Sequence, residues 1–148
     1  MTQEPAIKTI LCAMDFSEYS PKVAAYARLM AKSFQAKVVV LYVAPSLAQY
    51  TGFHVPPNSI ENFVGEIVSG AEKTMDGFLT EHFAGVPATG KVVTGYAAEE
   101  ILNAAEAGDV DLIVMGTHGR RGIDRIIFGS VAEKVVKGAT RPVLTIRP

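Results

Sequence analysis

Four short runs in this chain are free of charge and, Thr145 apart, apolar: Ile10–Met14, Val38–Val43, Leu112–Met115 and Val143–Ile146. They are rich in Val, Ile and Leu and show no alternation with polar residues. That is the pattern of strands buried on both faces, as in a parallel sheet covered by helices. A weaker run, Lys91–Thr94, suits an edge strand.

Helical patterns lie between these runs. Val23, Ala27, Met30 and Phe34 recur at helical spacing, and Ser20-Pro21 reads as an N-cap followed by proline in the first turn. A longer apolar stripe runs from Ile60 through Phe63, Ile67, Ala71, Met75 and Phe78 to Leu79, with Asn58 and Glu61 placed as a capping pair. Ile101, Leu102 and Ala105 mark a third helix, and Val131, Val135, Val136 and Ala139 a fourth. Strands alternating with helices predict an α/β fold: an open five-stranded parallel sheet with right-handed crossovers and helices on both faces. Such sheets take ligands beyond the carboxyl ends of their strands, where strand order reverses. The residues just after Met14, Val43, Gly95 and Met115 are therefore the ones to inspect. The irregular segment Ala44–Pro57 follows the second strand and reads either as a mobile flap or as a plain surface loop.

The length of 148 residues suits one domain, 1–148, with one sizeable core. A formal net charge of -1 argues against a nucleic-acid partner, which leaves a basic footprint. Cys12 is the single cysteine, so no disulfide forms within the chain and a reducing compartment is expected. The start, Met1-Thr2-Gln3-Glu4-Pro5, lacks the basic flank and apolar region of a signal peptide, and no apolar run is long enough to cross a bilayer. A cytoplasmic protein without a membrane partner is the expectation.

After the fourth strand comes Gly116-Thr117-His118-Gly119-Arg120-Arg121-Gly122, and Gly129-Ser130 then opens the fourth helix. Glycines let backbone N–H groups approach an anion closely, and a helix N-terminus offers unpaired N–H groups and the positive end of its dipole. Gly129, Ser130 and Val131 are placed to supply those groups to a phosphate, with Arg120 and Arg121 adding charge. A reading without ligand stands beside this one: Ser130 and Glu133 have the spacing of a capping box, and the glycines make a turn. Asp15, directly after the first strand, accepts hydrogen bonds from a ribose, helps hold a metal near phosphates, or caps the following turn. His118 either packs within the loop or faces a ligand. His54 and His82 are too scattered to form a metal site with it.

Absent motifs narrow the chemistry. There is no Gly-x4-Gly-Lys-Ser/Thr loop, no glycine-rich turn after the first strand and no Gly-x-Ser-x-Gly elbow. Gly95 stands where a response-regulator receiver needs Asp after its third strand. Thr117-His118-Gly119-Arg120 is not the His-x-Gly-His of nucleotidyl transferases. Asp124 and Glu133 are weak candidates for a general base, so binding with slow or no hydrolysis is expected.

The pattern Gly116-x2-Gly119-x9-Gly129-Ser130 resembles the nucleotide-binding signature of the universal stress protein family. Ile10–Ser17, Asp111–Gly116 and Arg141–Leu144 also resemble that family, and the likeness spans Lys8 to Ile146. It implies a strand order of 3-2-1-4-5 and a bound adenine nucleotide: ATP, with ADP, AMP or cyclic AMP as alternatives, and Mg2+ or Mn2+ with the phosphates. Ala13 and Val43 then meet the adenine through backbone atoms, and Asp15 contacts the ribose. Met115, Gly116, His118, Gly119 and Arg120 line the loop over the nucleotide, and Gly129, Ser130 and Val131 hold the phosphates. Ala13 departs from the proline of some relatives. The resemblance also places the fifth strand at a sheet edge, where family members pair, so a homodimer through Val143–Ile146 is expected. The implied function is a nucleotide-binding module in stress response or signalling. The alternatives are a weak ATPase or self-phosphorylating protein using Ser130 or Thr117, and a nucleotide-free interaction protein.

Overall fold

The computed structural model describes residues 4–45, 57–119 and 128–148, with side chains from residue 62 onward in the second stretch. Residues 46–56 and 120–127, which include His54, Arg120, Arg121, Gly122, Asp124 and most of the Ala44–Pro57 segment, lie outside the described residues.

Five strands alternate with four helices: β1 (Thr9–Ala13), α1 (Ser20–Phe34), β2 (Lys37–Ala44), α2 (Pro57–His82), β3 (Ala88–Thr94), α3 (Ala97–Ala107), β4 (Leu112–Gly116), α4 (Ser130–Gly138) and β5 (Val143–Ile146). All neighbouring strands pair in parallel, in the order β3-β2-β1-β4-β5. The chain winds outward from β1 to β3, then returns past β1 to build β4 and β5. The order therefore reverses between β1 and β4.

Three of the charge-free runs, β1, β2 and β4, form the middle of the sheet because both of their faces are covered, while the fourth, β5, lies at the edge and is only partly buried. Within β1, Ile10 and Cys12 face the layer of α1 and α2, where Val23, Ala27, Ala31, Met75 and Phe83 bury them. Leu11 and Ala13 face α3 and α4, against Ile101, Ala105, Ala132 and Val135. Ile10, Cys12, Val40, Ile113 and Val114 are fully buried. Each large aliphatic side chain removed from water in this way contributes about 1.5–3 kcal/mol. Ala24, Ala27 and Ala31 give α1 a flat inner face that sits close to the sheet. On the edge strand β3 a glycine does the same for α2: a β-carbon at Gly90 would collide with Met75.

Several local details differ from the sequence reading. β3 begins at Ala88, three residues before the apolar run, because pairing of Ala88, Thr89 and Gly90 with Val38–Val40 extends it. Phe34 (46% exposed) and Val136 (45%) lie outside the core, since the inner stripes of α1 and α4 are set by small residues and by Val135 instead. Tyr19, and not Ser20, is the N-cap of α1, and Ser20 is a buried first-turn residue. α2 begins at Pro57, so Asn58 lies inside the helix and is not its cap.

Candidate functional site

At the reversal point the strands stop at different heights. β1 ends at Ala13 and β4 at Gly116, while β2 continues to Ala44. A cavity of about 410 Å3 opens there, within the usual range for small-molecule sites. Ala13, Leu41, Val43 and Met115 from the strands and Ala97, Ile101, Val131 and Ala132 from α3 and α4 give it apolar walls. Asp15, Ser17, Ser20, Thr117, His118 and Ser130 supply its polar side chains.

The unequal strand lengths leave backbone groups without ladder partners. The Met14 N–H donates to the Leu41 carbonyl at 3.0 Å, the last bond between β1 and β2. Val43, two residues on, points its N–H and C=O the same way, beyond the end of β1. Ala44, the last residue of β2, points the other way, toward β3, and its carbonyl accepts the Gly95 N–H at 2.9 Å. Among the described residues nothing meets the Val43 N–H or C=O, and Val43 lines the cavity. The result is a donor and an acceptor side by side on an apolar wall.

Asp15 stands where the chain leaves β1. Its Oδ1 accepts the Ser17 N–H at 3.0 Å and the Ser20 hydroxyl at 3.3 Å. The Tyr19 N–H in turn donates to Ser17 Oγ at 3.3 Å. The capping role open to Asp15 is thus real, and it occupies one carboxylate oxygen. The other oxygen, Oδ2, lies against Gly119: a β-carbon there would sit 2.6 Å from it. The same bond network explains why Ser20 does not cap its own helix, since its hydroxyl is turned to Asp15.

The loop after β4 is tied down through Thr117, which is 2% exposed. Its N–H donates to the Ile146 carbonyl at 2.9 Å, and its own carbonyl accepts the Gly129 N–H at 2.7 Å. The Thr117 hydroxyl lies 2.7 Å from His118 Nδ1. Gly116 and Gly129 are close-approach positions, where added β-carbons would lie 3.2 Å from the His118 carbonyl and 3.1 Å from the Thr117 carbonyl. α4 has Gly129 as its N-cap and Ser130 as its first residue. Ser130 and Glu133 therefore do not form a capping box. Glu133 instead reaches forward to Lys137 Nζ at 2.8 Å on the surface, and that partner lowers its carboxyl pKa. The Gly129 N–H donates to the Thr117 carbonyl, which anchors the N-cap of α4 to the loop after β4. The N–H groups of Ser130, Val131 and Ala132 precede the first intrahelical bond, Glu133 N–H to the Gly129 carbonyl at 3.0 Å, and a helix offers such groups no internal acceptor. All three residues line the cavity.

Every expected site residue that is described borders this one cavity: Ala13, Asp15, Val43, Met115, Gly116, His118, Gly119, Gly129, Ser130 and Val131. Arg120 lies outside the described residues. Gly95 follows the edge strand β3 and is not part of the cavity wall; its φ of +145° suits a glycine turning into α3. Thr117, named in the sequence only for the self-phosphorylation alternative, also lines it, and sequence reasoning missed Ser17, Tyr19, Ser20, Ala97 and Ile101 there. Ala97 and Ile101 carried a usable signal, a pair of apolar residues four apart at the start of the helix after β3. His82 stacks on Phe78 at 4.4 Å, away from His118, and among the described residues no three potential ligands gather to hold a metal. Cys12 is buried in the core, where desolvation pushes its thiol up to about 12.

A doubly wound parallel sheet with a ligand-sized cleft at its reversal point, walled by a glycine loop and a helix N-terminus, defines a Rossmann-like α/β domain. The universal stress protein family profile matches residues 6–147, and the chain belongs to that family. It is 34% identical over 146 residues to universal stress protein MJ0531 of Methanocaldococcus jannaschii, covering 97% of this chain and 84% of that protein. Among solved structures it is similar to MJ0577 of the same organism, with 28% identity and a TM-score of 0.80 over 95% of this chain and 96% of that one. It is also similar to the universal stress protein UspA of Lactobacillus plantarum, with 23% identity and a TM-score of 0.82 over 97% of this chain and all of that one (100%).

Proposed function

We propose that residues 1–148 form one nucleotide-binding domain that holds an adenine nucleotide, ATP, in the cavity between β1, β2 and α4. One observation carries this reading: an apolar cleft joins the N–H and C=O of Val43, which no described residue meets, to the N–H groups of Ser130, Val131 and Ala132 that α4 leaves without acceptors. The adenine edge presents an acceptor at N1 beside a donor at N6, the complement of one residue's N–H and C=O. Ala13, Leu41, Met115 and Ile101 cover the faces of a planar base. Asp15 contacts the ribose, and Met115, Gly116, His118, Gly119 and Arg120 line the loop above it. Ser130, Val131 and Ala132 hold the phosphates at the positive end of α4, accompanied by Mg2+ or Mn2+. Solved universal stress proteins with this fold include one in complex with cAMP and one from Archaeoglobus fulgidus in complex with dAMP. At 18% and 20% identity they share the fold with this chain, and the nucleotide reading rests on the chain's own cavity.

The protein acts as a cytoplasmic stress or signalling module whose state depends on nucleotide occupancy, and it turns ATP over slowly or not at all. Glu133, a candidate base, supports this reading, because its carboxylate is paired with Lys137 on the surface and is not part of the cavity wall. Two copies associate through the outer edge of β5. The test is to denature the purified protein and identify what it releases, with a thermal-shift series alongside. Release of an adenine nucleotide near one per chain, or a midpoint raised by ATP, supports the reading. No released adenylate together with no shift overturns it in favour of a nucleotide-free interaction protein.

A further inference from the structure

Among the described residues, Phe16 carries the one left-handed non-glycine backbone beside the cavity-lining turn. Its φ is 59°, in the left-handed region that a bulky side chain rarely occupies. The residue sits between Asp15 and Ser17, in the turn that takes the chain from β1 into α1. Strain of this kind persists only where the surroundings over-determine it, and it collects at functional sites. Here the surroundings are visible. The Phe16 ring packs against Tyr42 of β2 at 4.8 Å between centroids and meets Phe78 of α2 edge-on at 5.8 Å. On the other side the turn is tied by the two bonds to Asp15 Oδ1. Phe16 itself is not part of the cavity wall.

We propose that Phe16 is a positioning residue for the ligand site: its ring, packed on Tyr42 and Phe78, holds the left-handed turn that sets the Asp15 carboxylate against Gly119. The physical reason is a balance of two terms. Left to itself the turn relaxes to a negative φ at residue 16, which rotates the Asp15–Ser17 peptide links and moves the carboxylate. Burial of the aromatic ring opposes that relaxation. Tyr42 alternates along β2 with Leu41 and Val43, which line the cavity, so the strand that presents the base-facing edge also anchors the ring that sets the ribose-facing acid. The inference rests on the nucleotide reading of the cavity and deepens it by assigning part of the affinity to a residue that touches no ligand.

A double-mutant cycle on ATP affinity, read by calorimetry, separates this from a general loss of structure. Phe16→Ala is expected to weaken ATP binding about tenfold, as loss of a positioned charged hydrogen bond does. In an Asp15→Asn background the same change is expected to cost less than about twofold, because the group it positions is already gone. Circular dichroism checks that each variant folds. If Phe16→Ala does not fold, Phe78→Ala, which removes the ring's edge-on partner and leaves residue 16 intact, replaces it in the cycle with the same thresholds. Wild-type affinity kept within about twofold by the variant, or an equal loss in both backgrounds, overturns the proposal while leaving the nucleotide site standing. Failure of the wild-type protein to bind ATP overturns the site reading itself.

Discussion

A β-carbon on Gly119 would lie 2.6 Å from Asp15 Oδ2, so the loop after β4 and the turn after β1 meet at a point where only a hydrogen fits. Residues 104 positions apart in sequence thereby close one wall of the cavity between them. The φ of Gly119 is not in the left-handed region, so the demand is for space alone. Gly119→Val is expected to push the loop off Asp15 and to lower ATP affinity by at least about tenfold, with the fold retained. Paired calorimetry and circular dichroism check this; unchanged affinity in the folded variant contradicts it.

Gly90 gives the matching control. A β-carbon there also lacks room, but the neighbours are Met75 and Leu79 of α2, neither of which lines the cavity. Gly90→Val is expected to cost about 1–3 kcal/mol of stability by overpacking and to leave ATP affinity unchanged. Urea unfolding and the same titration separate the two effects.

The outer edge of β5 is defined by parity. The Pro142 and Ile146 carbonyls accept bonds from Ile113 and Thr117 of the β4 side, at 3.0 and 2.9 Å. Val143 and Thr145 therefore point their N–H and C=O groups outward. If β5 is the surface that joins two copies, Thr145→Pro removes an outward donor and spares the bonds to β4. Sedimentation is expected to show a dimer for the wild-type protein and a monomer for the variant. A wild-type monomer at micromolar concentration contradicts the dimer proposal.

Cys12 gives a pH dependence with a definite sign. Burial raises its thiol from 9.0 to about 12 in the folded chain. The folded state therefore keeps a proton that the unfolded chain releases above its ordinary value. Stability from the protonated thiol is complete below about pH 9 and is lost as pH rises toward 12. The stability gap between wild-type protein and Cys12→Ala, from urea unfolding at about pH 8 and about pH 10.5, is expected to shift against the wild type at the higher pH. A constant gap contradicts this.

The sequence was most readable where burial acts on whole segments. The charge-free runs marked β1, β2 and β4 because a strand covered on both faces disfavours polar residues, and the run at β5 marked a half-buried edge strand that carries Thr145. Strand order and the site residues came through the family resemblance, which ties Gly116, Gly119 and Gly129 to Asp15. What escaped was set by single tertiary bonds. Ser20 looks like a cap, but its hydroxyl is drawn to Asp15. Ser130 and Glu133 have capping-box spacing, yet the Thr117 carbonyl takes the Gly129 N–H and fixes the helix start one residue too early for it. The N–H groups that precede the first intrahelical bond are those of Ser130, Val131 and Ala132. The left-handed turn at Phe16 left no mark in composition or period, because an aromatic ring, and not a glycine, holds it.

The proposed nucleotide site selects adenine through Val43 and holds phosphate at the start of α4. Titrating ATP and GTP into nucleotide-free protein by calorimetry tests it most directly. One ATP per chain is expected, with GTP at least about tenfold weaker because its donor and acceptor are reversed against the Val43 N–H and C=O. No heat from ATP, or equal affinity for GTP, would contradict it.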